Sequence, residues 1–218
     1  MAMQVPIENR ETAGKALAEQ LMHYRNRKDV IVLALPRGGV PVAFEIARAL
    51  KVNLDLLLVR KLGTPSFPEL AMGAIASGDI KVLNPQVIQA YAITQTQIEE
   101  VEAKERAELH RRQHAYRGQK PVPNLTGQIV VIVDDGLATG ATMHAAIDAV
   151  RLQSPQKIVV AVPVAPPETI DALRDSVDEV VCPIQPHQFS SIGQWYQSFS
   201  QVSDEEVTQL LNLAWSAA

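Results

Sequence analysis

The sequence predicts an α/β domain with a mostly parallel sheet covered by helices on both faces. Three features predict it: short apolar, β-branched runs, helix-period segments between most of them, and Gly- or Pro-bearing loops directly after two of the runs. A run that is continuously apolar, rather than alternating, belongs to a strand buried on both faces, the condition of parallel sheets. Strands alternating with helices imply right-handed βαβ crossovers. In such sheets ligands sit at the carboxyl ends of the strands, where the strand order reverses.

The elements follow in order. From Asn9, the segment ETAGKALAEQLMHYRN places Ala13, Leu17, Leu21 and Tyr24 on one helical face. Residues 29–35 form a buried strand that ends at Pro36-Arg37-Gly38-Gly39, after which VPVAFEIARAL reads as a helix. Residues 54–59 form a second strand, followed by the basic pair Arg60-Lys61 and the turn-rich LGTPSFPEL. Residues 71–77 are small and apolar and read as a short edge strand. Residues 94–116 carry acids and bases three and four apart, which predicts a solvent-exposed helix supported by i,i+4 pairs. A fourth strand, 128–133, runs into Asp134-Asp135-Gly136-Leu137-Ala138-Thr139-Gly140-Ala141-Thr142, and MHAAIDAVRLQ continues as a helix. Strands at 157–162 and 179–181 flank a helix near 167–175. Residues 183–200 hold most of the late aromatic side chains, and 204–214 close the chain as a helix with Ser203 as N-cap.

Composition bounds the function. At 218 residues, 47 % hydrophobic and 20 % charged, the chain suits one globular domain that needs no disulfide or metal staple. Cys182 is the only cysteine, which excludes an internal disulfide and a zinc site of several thiolates. The formal charge of −4 argues against a nucleic-acid-coating surface. No apolar run approaches the length of a membrane span and the first ten residues show no signal-peptide core, so a soluble, cytoplasmic protein with no membrane or nucleic-acid partner is expected.

The loop after residue 133 carries the most chemistry. Gly136 and Gly140 permit close backbone approach, Ala138 and Ala141 do not block it, and Thr139 and Thr142 offer hydroxyls. Amides at a helix N-terminus make an anion site without any lysine. Asp134 and Asp135 repel a phosphate but suit sugar hydroxyls or a Mg²⁺ ion beside it, so the pair plus loop describe a site for ribose 5-phosphate. An Asp N-cap with a glycine turn, as in many α/β loops, uses the same residue types. A P-loop is excluded because no Lys precedes Thr142, and GxGxxG is absent from the chain.

Residues 130–142, VVIVDDGLATGAT, resemble the 5-phosphoribosyl-1-pyrophosphate (PRPP) motif of type I phosphoribosyltransferases. Leu33-Ala34-Leu35-Pro36-Arg37-Gly38-Gly39 is similar to that family's pyrophosphate loop, and Arg60-Lys61 to the start of its mobile catalytic loop. Within the family, the chain is most similar to predicted members carrying VRKLG and a late GQWY…F segment.

The resemblance implies a single domain over residues 1–218, with a core at about 29–182, a helical insertion at about 84–120 and a small hood from the N-terminal helix and about 183–200. It implies a six-strand sheet of order 3-2-1-4-5-6, with strand 3 (71–77) antiparallel. Asp134 and Asp135 then hold the ribose hydroxyls, and Gly136, Leu137, Ala138, Thr139, Gly140, Ala141 and Thr142 enclose the 5-phosphate. Pro36, Arg37, Gly38 and Gly39 contact the pyrophosphate, with a non-proline cis peptide at Pro36–Arg37. Arg60 and Lys61 act from the mobile side, over which residues 62–69 close. The implied cofactor is Mg²⁺, held through PRPP with few or no protein ligands, and the implied assembly is a homodimer. Phe189, Trp195 and Tyr196 are candidates to stack on a planar acceptor, although aromatic residues so placed more often pack a core or an interface. The implied reaction is phosphoribosyl transfer to a nitrogenous acceptor. Ala138 stands where the 6-oxopurine enzymes have an Asp, which argues against salvage by proton transfer at that position. The alternatives are a regulatory protein that binds PRPP without turnover and a phosphohydrolase.

Overall fold

A computed structural model describes residues 3–216. Five strands, β1 (Val30–Ala34), β2 (Asn53–Leu56), β6 (Ile129–Val133), β7 (Lys157–Ala161) and β8 (Glu179–Val181), form a parallel sheet in the order β2-β1-β6-β7-β8. Every residue of β1 and β6 is buried, as their continuous apolar runs require. Odd and even positions feed two separate cores. Val32, Ala34, Val131 and Val133 face α1 (Arg10–Gln20), α2 (Gly39–Leu50) and α7 (Asp204–Ser216), packing with Leu17, Ile46 and Leu211. Ile31, Leu33, Val130 and Ile132 face α5 (Ala141–Arg151) and α6 (Pro167–Arg174), packing with Met143, Ile147 and Ile170. Each such fully buried aliphatic side chain contributes about 1.5–3 kcal/mol of transfer free energy.

The sixth strand is elsewhere. Residues 71–76 do not extend the parallel sheet but form β4 (Ala71–Ala76), the centre of a separate antiparallel sheet with β3 (Val59–Gly63) and β5 (Ile80–Leu83). The single strand expected at 54–59 breaks in two. Leu57 N–H still donates to the Ala34 carbonyl (3.0 Å), whereas the Leu58 carbonyl accepts from Ser77 N–H (3.0 Å), so the chain changes sheets between adjacent residues. Both halves are buried, which is why the apolar run shows no interruption.

Helix α3 (Pro85–Ala90) buries none of its side chains. The long charged helix α4 (Gln95–Arg117) starts with a Thr94–Gln97 capping box and is less solvent-exposed than its charge pattern predicts. It buries Ile98, Leu109, Tyr116 and Arg117, and its acids reach the small sheet: Arg60 Nε donates to Glu105 (2.7 Å) and Lys81 to Glu102 (2.8 Å). The helix thereby fixes the small sheet beside the N-terminus of α5. Ser203 caps α7 as expected, its Oγ accepting from Glu206 N–H (3.1 Å).

Candidate active site

β1 and β6 are neighbours in register, from Val30 opposite Ile129 to Ala34 opposite Val133. From β1 the chain crosses through α2 to β2 on one side; from β6 it crosses through α5 to β7 on the other. The crossovers that follow these two strands run to opposite sides, the strand-order reversal at which a crevice opens. The peptide Pro36–Arg37 in the first loop is cis. Its glycines let the two loops touch: a Cβ on Gly38 would lie 2.0 Å from Asp135 Oδ2, and one on Gly39 would lie 2.6 Å from the Val133 carbonyl oxygen.

The second loop is tied down through its carbonyls. Tyr196 donates its hydroxyl to the Asp135 carbonyl (2.6 Å) and Thr169 its hydroxyl to the Ala138 carbonyl (2.6 Å). Leu137 N–H donates to the Val164 carbonyl (2.9 Å). Gly140, the N-cap of α5, takes a φ of 71°, the left-handed region that favours glycine. Among the described residues, the N–H groups of 138–142 have no backbone acceptor, and Ala141 N–H reaches only Thr139 Oγ1 at 3.5 Å. Ala138, Thr139, Ala141 and Thr142 are exposed. The loop is thus an open set of amide donors at a helix N-terminus, fixed before any ligand arrives.

The two acids behave differently. Asp134 turns back on its own chain, with Oδ1 accepting from Asp135 N–H (2.8 Å). Burial first, and the Asp135 charge second, push its carboxyl well above the usual carboxylate range. Asp135 is also raised by burial, but the Arg10 guanidinium opposes the shift, its Nε donating to Asp135 Oδ2 at 2.8 Å. Arg10 is the site residue that sequence reasoning missed. A signal was present: Arg10 is the first residue of α1, where the helix dipole disfavours a cation.

The basic residues divide between the first loop and the small sheet. Arg37 is half-buried, with Nη1 3.6 Å from Asp204 Oδ1. Arg60 and Lys61 do not begin a loop but stand in β3, on the wall of a cleft of about 490 Å³ that also takes in Lys104, Ala141 and Thr142. Each has an acidic partner: Arg60 has Glu105, and Lys61 has Glu69 at 3.1 Å. The loop at 64–70 is braced internally, with Thr64 N–H donating to the Leu70 carbonyl (2.8 Å) and Thr64 Oγ1 donating to the Phe67 carbonyl (2.9 Å).

Of the aromatic candidates, Tyr196 is buried beneath the acidic loop with its ring against Phe199 (4.9 Å). Phe189 and Trp195 are partly buried and stack on each other at 6.3 Å. Cys182 is buried, its thiol pushed up to about 12 by desolvation, as suits a small apolar filler. His187, His110 and His114 are exposed. Among the described residues no group of three His, Cys, Asp or Glu side chains could hold a metal, and no helix is long and apolar enough to cross a membrane.

The chain resembles proteins whose names bear on this crevice. It is 46 % identical over 208 residues to two provisionally named phosphoribosyl transferases of Mycobacterium tuberculosis, from strains CDC 1551 and H37Rv. The matched part is 95 % of this chain and 46 % of each relative, so the chain spans about half the length of these curated relatives. The crystal structure of TT1426 from Thermus thermophilus superposes with a TM-score of 0.86 at 41 % identity, covering 97 % of this chain and 98 % of that one. AQ2163 from Aquifex aeolicus shares the fold alone, at a TM-score of 0.52 and 15 % identity over 84 % of this chain and 78 % of that one. Residues 5–198, which include both crevice loops and all three strands of the small sheet, match the family model described as the phosphoribosyl transferase domain, and the chain belongs to that family.

Proposed function

We propose that this chain transfers the 5-phosphoribosyl group of PRPP to a nitrogenous acceptor and releases pyrophosphate. The observation that carries the reading is the loop at 138–142: amide donors with no backbone acceptor among the described residues, anchored by Tyr196, Thr169 and Val164, directly after an acidic pair. Donors held in place stabilise a phosphate monoester without reorganising, and each hydrogen bond to a charged group is worth about 1.5–3 kcal/mol. The 5-phosphate sits on these amides, and Asp134 and Asp135 accept from the ribose hydroxyls. Arg37 and the amides of Gly38 and Gly39 bind the pyrophosphate, with Arg60 and Lys61 approaching from β3.

In the reaction, the acceptor nitrogen forms a bond to C1 of the ribose while the C1–oxygen bond breaks, its electron pair leaving with pyrophosphate. Arg37, Arg60 and Lys61 take up the growing negative charge on the leaving group, and Arg60 and Lys61 exchange Glu105 and Glu69 for it. Among the described residues no larger cluster of ligating side chains exists, so a metal at the crevice would find only the carboxylate pair Asp134 and Asp135, and Mg²⁺ would be held mainly through substrate oxygens. That ion would supply charge neutralisation at the pyrophosphate. Phe189 and Trp195, on the segment packed against the acidic loop, are the acceptor-side surface.

One observation favours a second reading, PRPP binding without turnover: the cations on β3 are already neutralised by Glu105 and Glu69. Incubation with Mg²⁺-PRPP and a panel of purine, pyrimidine and amine acceptors, followed by pyrophosphate assay, separates the two. Release that depends on one acceptor supports transfer. PRPP binding in calorimetry with no release from any acceptor replaces it by the binding reading, and no PRPP binding removes both.

A further inference from the structure

Arg10 is poorly explained as part of its own helix. It is the first residue of α1, where the helix dipole works against a cation, and its side chain is only 11 % exposed. Its side-chain hydrogen bonds leave the helix. Nε donates to Asp135 Oδ2 at 2.8 Å, Nη1 donates to the Ser200 carbonyl at 2.7 Å, and the guanidinium lies 4.0 Å from the centroid of the Phe199 ring. A buried ion pair is weak support for stability, since apolar packing of similar volume does as well. The arrangement is therefore best explained by a need for a fixed carboxylate at Asp135.

We propose that Arg10 is a positioning residue for the sugar. Its planar fork holds the Asp135 carboxylate in one orientation and joins it to the segment at 195–200, so that the hydroxyl-binding acid and the acceptor-side segment move as one unit. The inference deepens the phosphoribosyl reading and rests on it.

The geometry explains how one residue serves both ends. Asp135 offers about four acceptor sites on its two oxygens. Arg10 uses Oδ2, which can lie where it does only because Gly38 carries no Cβ, and Oδ1 remains to accept from a sugar hydroxyl. On its other side the guanidinium holds a segment already aligned with the N-terminus: Ile7 N–H donates to the Trp195 carbonyl (2.8 Å) and Gln197 N–H to the Ile7 carbonyl (2.7 Å). Tyr196 closes the circuit through the Asp135 carbonyl. A lysine carries the charge but cannot present two donors in this fixed fork, so charge and geometry are separable by mutation.

The test is calorimetric titration of the whole chain with ribose 5-phosphate, 2-deoxyribose 5-phosphate and inorganic phosphate. The variants are Arg10→Gln, Arg10→Lys, Asp135→Asn and the double Arg10→Gln/Asp135→Asn. Arg10→Gln is expected to weaken ribose 5-phosphate about tenfold, to narrow the preference over the deoxy sugar and to leave inorganic phosphate within about twofold. Arg10→Lys is expected to fall between wild type and Arg10→Gln. In the Asp135→Asn background, Arg10→Gln is expected to add no further loss, because the residue it serves is gone.

If Arg10→Gln binds the sugar phosphate like wild type while Asp135→Asn does not, the proposal fails and the ribose site stands. If Asp135→Asn is also without effect, or wild type binds no sugar phosphate, the phosphoribosyl reading fails with it. Equal losses for sugar phosphate and inorganic phosphate mean a merely structural role and overturn the proposal. Should Arg10→Gln not fold, Arg10→Lys decides: a selective loss for the ribose ligand supports the proposal, and unchanged selectivity overturns it.

Discussion

Gly38 and Gly39 show how much a single hydrogen can decide at this crevice. A methyl on Gly38 meets the Asp135 carboxylate, the end of a side chain that Arg10 holds in place; a methyl on Gly39 meets main chain, the Val133 carbonyl and Asp134 Cα. A side chain can shift where backbone cannot. Both alanine variants are therefore expected to destabilise by about 1–3 kcal/mol, Gly39→Ala more than Gly38→Ala. In a chain of this size that lowers Tm by about 2–4 °C per kcal/mol, readable by calorimetry. Equal stability of Gly39→Ala and wild type would show that the two loops are not in contact.

Asp134 allows a pH prediction. Burial raises its folded-state pKa above the usual value of 3.8, so the folded protein keeps a proton that the unfolded chain has lost. The penalty is absent below about pH 3.8, grows as pH rises toward the folded pKa and is then constant. Asp134→Asn retains an acceptor for Asp135 N–H and removes the ionisation. Its stability relative to wild type is expected to rise between pH 4 and pH 8 in urea titrations, while ribose 5-phosphate binding weakens. A difference independent of pH counts against a raised Asp134 pKa in the folded protein.

At the level of elements, α4 is held in place by one buried pair. Arg117, with no exposed side chain, contacts Asp55 of β2 at 2.7 Å, donates to the Leu56 carbonyl (2.8 Å) and also reaches the Pro121 carbonyl (3.1 Å). Its Nε has no partner, so the group is not fully satisfied even in the native state. Removing one partner of such a pair costs about 3–5 kcal/mol, because the other charge is left buried alone. Arg117→Met is expected to fall in that range, and Arg117→Met with Asp55→Asn to recover much of it, in a double-mutant cycle by urea unfolding. Additive losses would show that the two charges do not interact.

The same region shows where sequence patterns carry information and where they do not. The buried strands 29–35 and 128–133 and the loops after them are readable because they are apolar on both faces and end at glycines. Leu57 and Leu58 are not, because a chain that passes from one buried sheet to another keeps an apolar run with no turn residue at the crossing. The charges of α4 read as solvated because pattern alone does not reveal that Glu102 and Glu105 face Lys81 and Arg60 across a gap of many residues. Helix α3, with no fully buried side chain, is expected to lose amide-exchange protection long before β6, whose five residues are all buried.

For the molecule as a whole, the charge balance and the site pull in opposite directions. The chain carries a net −4, yet Arg60, Lys61 and Lys104 line one cleft with Ala141 and Thr142, and Arg37 stands in the loop after β1. Arg60, Lys61 and Arg37 are paired with Glu105, Glu69 and Asp204, and on the proposed reading an anionic ligand would take them over from these carboxylates. A ligand with a phosphate at one end and a pyrophosphate at the other engages the amide loop and the cations together, whereas inorganic phosphate engages only one end. PRPP at about 100 times its Kd is expected to stabilise the folded state by about 2.7 kcal/mol, a rise of roughly 5–11 °C in Tm. Inorganic phosphate at the same concentration is expected to give a far smaller shift. Both shifts should shrink between about 50 and 500 mM NaCl, that of PRPP more, because its charge is spread over more contacts. A PRPP shift no larger than that of phosphate would mean that only the amide loop is used, and the cations on β3 would then belong to the packing of α4 rather than to the site.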